Sequence, residues 1–173
     1  MKYTILLAIL LFWSCTQIYF DRKHPVNSPD IPTPKAMNGT YISQNEGNEK
    51  PDTLIIANGK VVKSDFLQAT TQMTLRRLSP EKLILNIEDP NFPQKWICVL
   101  LTHNSNYNKL EVFTLPSEGP KYEKICSMVD TATFEVEGEK NRALLLKANE
   151  NDFSGLVKMG FFEKIITYKK ISQ

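Results

Sequence analysis

Histidine is scarce in this chain, with two among 173 residues, His24 and His103. A Ser-His-acid hydrolase needs a histidine held between a nucleophile and a carboxylate, and neither position invites that. His24 stands beside Pro25 in a polar stretch that offers no fixed geometry, and His103 opens the turn His103-Asn104-Ser105, where a solvated side chain is expected. No Gly-x-Ser-x-Gly elbow occurs. Cysteine is as sparse, three in all, so Cys98, Cys126 and His103 make only a trio of zinc ligands at spacings unlike any zinc motif. Glu46, Glu49 and Asp52 cluster without the ordered spacing and glycine of a calcium loop, and Glu150 with Asp152 reads as a helix N-terminus. No cofactor is expected. An excess of one charge is missing too: the formal net charge is +2 and the lysines are scattered, which excludes the basic stripe that nucleic acid requires. No uninterrupted apolar run reaches the ~20 residues of a confident membrane span.

What is present begins at the N-terminus. Lys2 supplies a positive charge, Tyr3 to Trp13 is an apolar run interrupted only by Thr4, and Ser14-Cys15 follows, the pattern of an export signal. A small residue before a cysteine at the end of such a run resembles the relaxed lipobox of Bacteroidota-type lipoproteins. That resemblance implies cleavage before Cys15, acylation of that cysteine, and a bacterial cell-envelope protein anchored in the membrane and facing the periplasm or the cell surface. Two alternatives stand beside it. Ile18, Tyr19 and Phe20 extend the apolar run, so residues 3–20 form a marginal uncleaved anchor, opposed by Thr16, Gln17 and the flanking Arg22 and Lys23; the other is ordinary cleaved secretion.

Residues 1–14 are thus expected to be a signal peptide, 15–37 a lipidated cysteine with a tether bearing Pro25, Pro29, Pro32 and Pro34, and 38–173 the folded domain. With Cys15 lipidated, Cys98 and Cys126 remain as an even pair outside the cytoplasm. A bridge between them would close a loop of about 28 residues and stabilise by roughly 3 kcal/mol. The competing reading is two buried free thiols, since both lie in apolar sequence.

The domain reads as consecutive antiparallel hairpins. Asn58-Gly59 between Thr53-Leu54-Ile55-Ile56 and Val61-Val62 is a type I′ turn signal. Met73–Leu78 and Lys82–Ile87 flank Ser79-Pro80-Glu81; in the second, Leu83, Leu85 and Ile87 alternate with Lys82, Ile84 and Asn86, so a half-buried strand is expected. Trp96–Leu101 is apolar on both faces, hence central, and Lys109–Leu115 returns beside it. Tyr122–Met128 is open between strand and helix. Thr131–Val136 and Arg142–Lys147 pair across Glu137–Asn141. Asn149 with Asp152 has the form of a capping box for a helix over 150–159, and Phe161–Ile171 is the last strand. The fold class is mainly β, a single antiparallel barrel or meander of about 8–10 strands with one short helix before the last strand, or else a two-sheet sandwich. Gly39-Thr40-Tyr41 and the helix before the final strand resemble small lipocalin-like barrels of uncharacterised bacterial lipoproteins, and such a barrel has room for one small apolar ligand. The function expected is non-enzymatic, a membrane-anchored domain binding a protein partner or a small apolar ligand; a hydrolase with a site dispersed in sequence, and an inhibitor or immunity-type lipoprotein, are the alternatives.

Overall fold

A computed structural model describes residues 17–44, 51–63, 73–135 and 142–172. In chain order the strands are β1 (Ile18–Phe20), β2 (Asp30–Ile31), β3 (Gly39–Ser43), β4 (Thr53–Ala57), β5 (Lys60–Lys63), β6 (Met73–Ser79), β7 (Lys82–Glu88), β8 (Trp96–His103), β9 (Lys109–Thr114), β10 (Thr131–Glu135), β11 (Arg142–Leu146) and β12 (Glu163–Ser172). Helix α1 (Gly119–Met128) lies between β9 and β10, α2 (Glu150–Lys158) between β11 and β12, and a 3-10 turn spans Lys35–Met37. The fold is mainly β, and all twelve strands form one curled, half-barrel sheet rather than two stacked ones.

Strand β8 organises that sheet, and its sequence explains why. Trp96, Cys98 and Leu100 face one way while Val99 and Leu101 face the other, all of them buried, as a strand covered on both sides requires. One edge of β8 pairs along its whole length with β7. Its other edge is shared: β9 takes Leu100 to His103, and β1 takes Trp96 through Phe20. From there the sheet runs β1-β11-β10 on one side and β9-β12-β3-β4-β5 on the other, with β7-β6-β2 as a branch. All pairings are antiparallel except β1 with β11, where Ile18, Tyr19 and Phe20 stand opposite Leu144, Leu145 and Leu146.

Two apolar layers follow from this arrangement. The concave side packs Tyr41, Leu54, Leu83, Val99, Leu110 and Tyr168. The other side of β1, β8 and β11 is covered by the helices, through Ile125 of α1 and Phe153 and Leu156 of α2, each fully buried. Phe153 and Leu156 are three residues apart, hence neighbours on one helix face, and burying side chains of this size is worth about 1.5–3 kcal/mol each. Helix α2 starts where its cap dictates: Asn149 accepts from the Asn151 and Asp152 amides, and the Asp152 carboxylate accepts from the Asn149 amide, completing the capping box. The β4–β5 turn is equally local, with Asn58 at φ 51° and Gly59 at φ 73°, the two positive values of a type I′ turn.

Several expectations are corrected. The segment read as a tether over 15–37 is, from Ile18 onward, built into the domain. Ile18, Tyr19 and Phe20 are buried in mid-sheet, Asp30 and Ile31 pair with Arg76 and Leu75, and Met37 lies in the concave layer. The domain therefore starts at β1 and not at residue 38. The prolines misled because they punctuate a segment laid across the sheet, with His24, Pro25 and Met37 buried, rather than an extended spacer. Strand β7 is covered on both faces, since Ile84 and Asn86 are as buried as Leu83, the crossing segment supplying the second cover. The open stretch before Met128 is helical. The signal segment, Cys15, the loop holding Glu46 and Glu49, residues 65–71 and the 137–141 turn fall outside the described residues.

Candidate functional site

An extended polar construction among the described residues lies where the N-terminal segment crosses β7 and β8. Asn86 interrupts the apolar sequence of β7 and is fully buried. Its Oδ1 accepts from the His24 amide at 2.7 Å, its Nδ2 donates to the His24 carbonyl at 2.9 Å, and the Cys98 thiol donates to the same Oδ1 at 3.3 Å. One side-chain amide thus imitates a strand partner for a single residue. Beside it Arg76 of β6 donates to the carbonyls of Lys23 (3.1 Å) and Pro25 (2.9 Å) and to Asp30 (2.7 Å). Lys23 bonds Asp30 at 3.0 Å and lies over the Trp96 ring, 4.7 Å from its centroid. The Val26 amide donates to Glu150 at the start of α2. Five backbone polar groups of this crossing, the His24 amide and carbonyl, the Lys23 and Pro25 carbonyls and the Val26 amide, are thus met by side chains from other elements.

The His24 imidazole enters this joint as an apolar plate. It is stacked on Phe153, with ring centroids 4.3 Å apart and planes 10° apart, and meets Phe20 edge-on at 5.1 Å. Both ring nitrogens are buried and unpartnered among the described residues. Burial disfavours the imidazolium and pulls the pKa down to about 4, with the nearby Asp21 carboxylate opposing and Arg22 and Arg76 reinforcing the shift. His24 is therefore neutral at pH 7 and held rigidly, where the sequence suggested a mobile side chain.

A second polar construction lies just before the crossing. The Tyr19 hydroxyl contacts Asp89 at 2.7 Å and Gln17 at 3.0 Å, and its phenol is held well above the ordinary range by burial, then by the hydrogen bond to Asp89 and that carboxylate's charge. Phe92 and Phe134 pack on the Tyr19 ring at 5.8 and 5.5 Å and on each other at 5.1 Å.

His103 is also buried, contrary to a solvated turn residue. It stacks on Tyr107 at 4.0 Å, and its Nδ1 lies 2.9 Å from the Asn104 carbonyl. A carbonyl only accepts, so Nδ1 carries a proton, while Nε2 is buried and without a partner among the described residues. No carboxylate orients this ring among its described contacts, and Tyr107 reaches the stack through a left-handed backbone, φ 53°. The neighbouring Tyr41 phenol donates to the Met37 carbonyl, and burial pushes its pKa up to about 12.

The remaining sequence candidates are dispersed. Cys98 and Cys126 are free thiols, the reading that competed with a bridge. Cys98 is committed to Asn86 and its thiol is pushed up by burial; Cys126 lies half-buried on α1. Asp52 accepts from the Tyr168 hydroxyl, and Glu150 and Asp152 serve the α2 N-terminus. Among the described residues no group of three or more His, Cys, Asp or Glu side chains is placed to hold a metal ion. Sequence reasoning missed Asn86 and Arg76, although a lone amide inside Leu-Ile-Leu-Asn-Ile is itself a signal, because a buried polar group needs partners.

No family model, curated protein or solved structure matches this chain. The functional reading accordingly rests on the sequence and geometry of this chain alone.

Proposed function

We propose that this chain is a membrane-anchored lipoprotein of the bacterial cell envelope, lipidated on Cys15, whose β domain binds a protein partner without catalysing a reaction. The observation that carries the anchor is the burial of Ile18, Tyr19 and Phe20 in the sheet. These are the residues an uncleaved span over 3–20 would need. With them committed to the core, the apolar stretch ends at Trp13, short of the ~20 residues of a membrane helix but suited to a cleaved signal. Among the described residues no helix is long and apolar enough to cross a membrane.

Protein partnership is favoured over carriage of a small ligand because the concave side, where a lipocalin-style cup would lie, is occupied by Tyr41, Leu83, Val99 and Tyr168, each at most 2% exposed. The opposite face of the β12-β3-β4-β5 wing is different. Tyr41, Leu54, Ile56 and Val61 point into the concave layer, so by alternation Ile42 and Ile55 point out, and Val62 stands at the β-bulge opposite them. Val62 and Ile171 are more than half exposed. Apolar surface of this kind marks protein contact.

Feeding cells a labelled fatty acid tests the anchor. The native chain is expected to take up label and Cys15→Ala to lose it; equal labelling of the two overturns the reading. Pull-down of the native chain against a Val62→Lys, Ile171→Lys variant tests the partner: a protein retained by the first and lost by the second supports it, and unchanged recovery rejects that surface.

A further inference from the structure

The contact between Gln17 and the Tyr19 pair specifies which side of the domain meets the membrane, an inference that rests on lipidation of Cys15. Gln17 is fixed at the head of β1: its carbonyl accepts from the Leu144 amide at 3.0 Å, and its side-chain amide lies 3.0 Å from the Tyr19 hydroxyl, whose proton goes to Asp89. Only Thr16 separates it from Cys15, and two residues of fully extended chain span about 7 Å at most. The headgroup layer on each side of a bilayer is itself roughly 5–8 Å deep. A lipid on Cys15 therefore leaves no spacer, and whatever surrounds Gln17 is pressed into the headgroups.

What surrounds it suits that position. Tyr19 and Gln17 are two apart, so they share the face of β1 turned away from the helices. On that face the buried Tyr19, Ala143 and Leu145 are covered by the half-buried Phe92, Phe134 and Ala132. Phe92 projects from the Asp89–Lys95 loop, in which Pro90, Asn91, Pro93 and Gln94 are all exposed. The Asp89 carboxylate is met by the Tyr19 hydroxyl and the Asn91 amide, and the neighbouring Glu88 carboxylate by the Gln94 amide. Aromatic rings with a satisfied polar tip are the side chains that settle at membrane interfaces.

We infer that the 89–95 loop and the Phe92–Phe134 cluster form the membrane-contacting face, with a lipid surface as its occupant. The far end of the sheet, β5, stands six strands away along the path from β1 and faces away from the bilayer. This orientation holds the apolar outer face of the β12-β3-β4-β5 wing open to other proteins.

The test uses the full lipidated chain in phosphatidylethanolamine–phosphatidylglycerol vesicles containing acyl-chain-brominated lipid. Tryptophan is introduced at Phe92→Trp, at the exposed Asn91→Trp on the same loop, and at Val62→Trp as the distant reference, with Trp96 emission subtracted by means of the parent. Loss of the added emission at positions 91 and 92, and none at 62, is expected. Asn91→Trp keeps the test valid where a change at half-buried Phe92 perturbs folding. Quenching at 62 equal to or above that at 91 overturns the face assignment. A parent that carries no fatty-acid label overturns the lipidation and with it this inference, so the two failures are told apart by the label.

Discussion

Replacing Asn86 is expected to be the most damaging single polar change in the domain, for a reason that can be separated from loss of volume. The side chain satisfies both the amide and the carbonyl of His24, each deep in the protein. Leaving a buried polar group without its partner costs about 1–3 kcal/mol, so Asn86→Ala is expected to cost about 2–6 kcal/mol, a large part of the roughly 5–15 kcal/mol that holds a domain together. The decisive variant is Asn86→Leu. It restores the volume but neither hydrogen bond, so it should lie close to Asn86→Ala if bonding dominates and close to the parent if packing dominates. Urea unfolding followed by Trp96, which pairs with Phe20 beside this joint, reads both. An Asn86→Leu protein within about 1 kcal/mol of the parent would refute the argument, because that is the lower bound for a single orphaned group.

Further outcomes follow from the same geometry. The His24 pKa is about 4 in the folded chain and ordinary when unfolded, so the unfolded state alone binds this proton between about pH 6.5 and 4. Its contribution is then fully present above pH 6.5 and lost as the pH falls through that window, on the order of 3 kcal/mol in all. In His24→Phe, which keeps the stack on Phe153 and removes two unpartnered nitrogens, stability at pH 7 should be equal or higher and this part of the acid dependence absent; an unchanged slope by acid titration of the melting curve contradicts it. Native alkylation should modify Cys126 and spare Cys98, with the second alkyl group appearing on denaturation without reductant; mass spectrometry that finds a species needing reductant would establish a bridge. Gly59→Val should lower stability by about 1–3 kcal/mol, because φ 73° is left-handed and the new side chain meets Thr33, whose Cβ lies 3.4 Å from the added carbon; an unaltered melting temperature argues against the turn.

The fold was readable wherever structure is local. Asn58-Gly59, the Asn149–Asp152 box and the doubly apolar Trp96–Leu101 each carry their conformation within a few residues, and each is found as read. The misreadings share another character. Residues 21–37 have no periodicity because their partners are side chains of Arg76, Asn86 and Glu150, dozens of positions away, and no local pattern encodes such an arrangement. His24 and His103 were judged by polar neighbours in sequence, whereas Phe153 and Tyr107 decide their burial. Ile18-Tyr19-Phe20 was visible as an apolar run, but a short run of this length does not distinguish strand from membrane segment.

The position of β1 also sets an order of events in folding. It is the first of the described strands to be synthesised, yet Phe20 pairs with Trp96 and Ile18 with Leu144. Until β11 exists, its slot is open and β1 has only one of its two neighbours. Contacts this distant in sequence slow folding, because the loop must close before the pairing stabilises it. The hairpins β4–β5 and β6–β7 can form early, while closure of the helix-covered layer awaits the last third of the chain. A chain made from its N-terminus thus cannot complete this layer until β11 and α2 have been made.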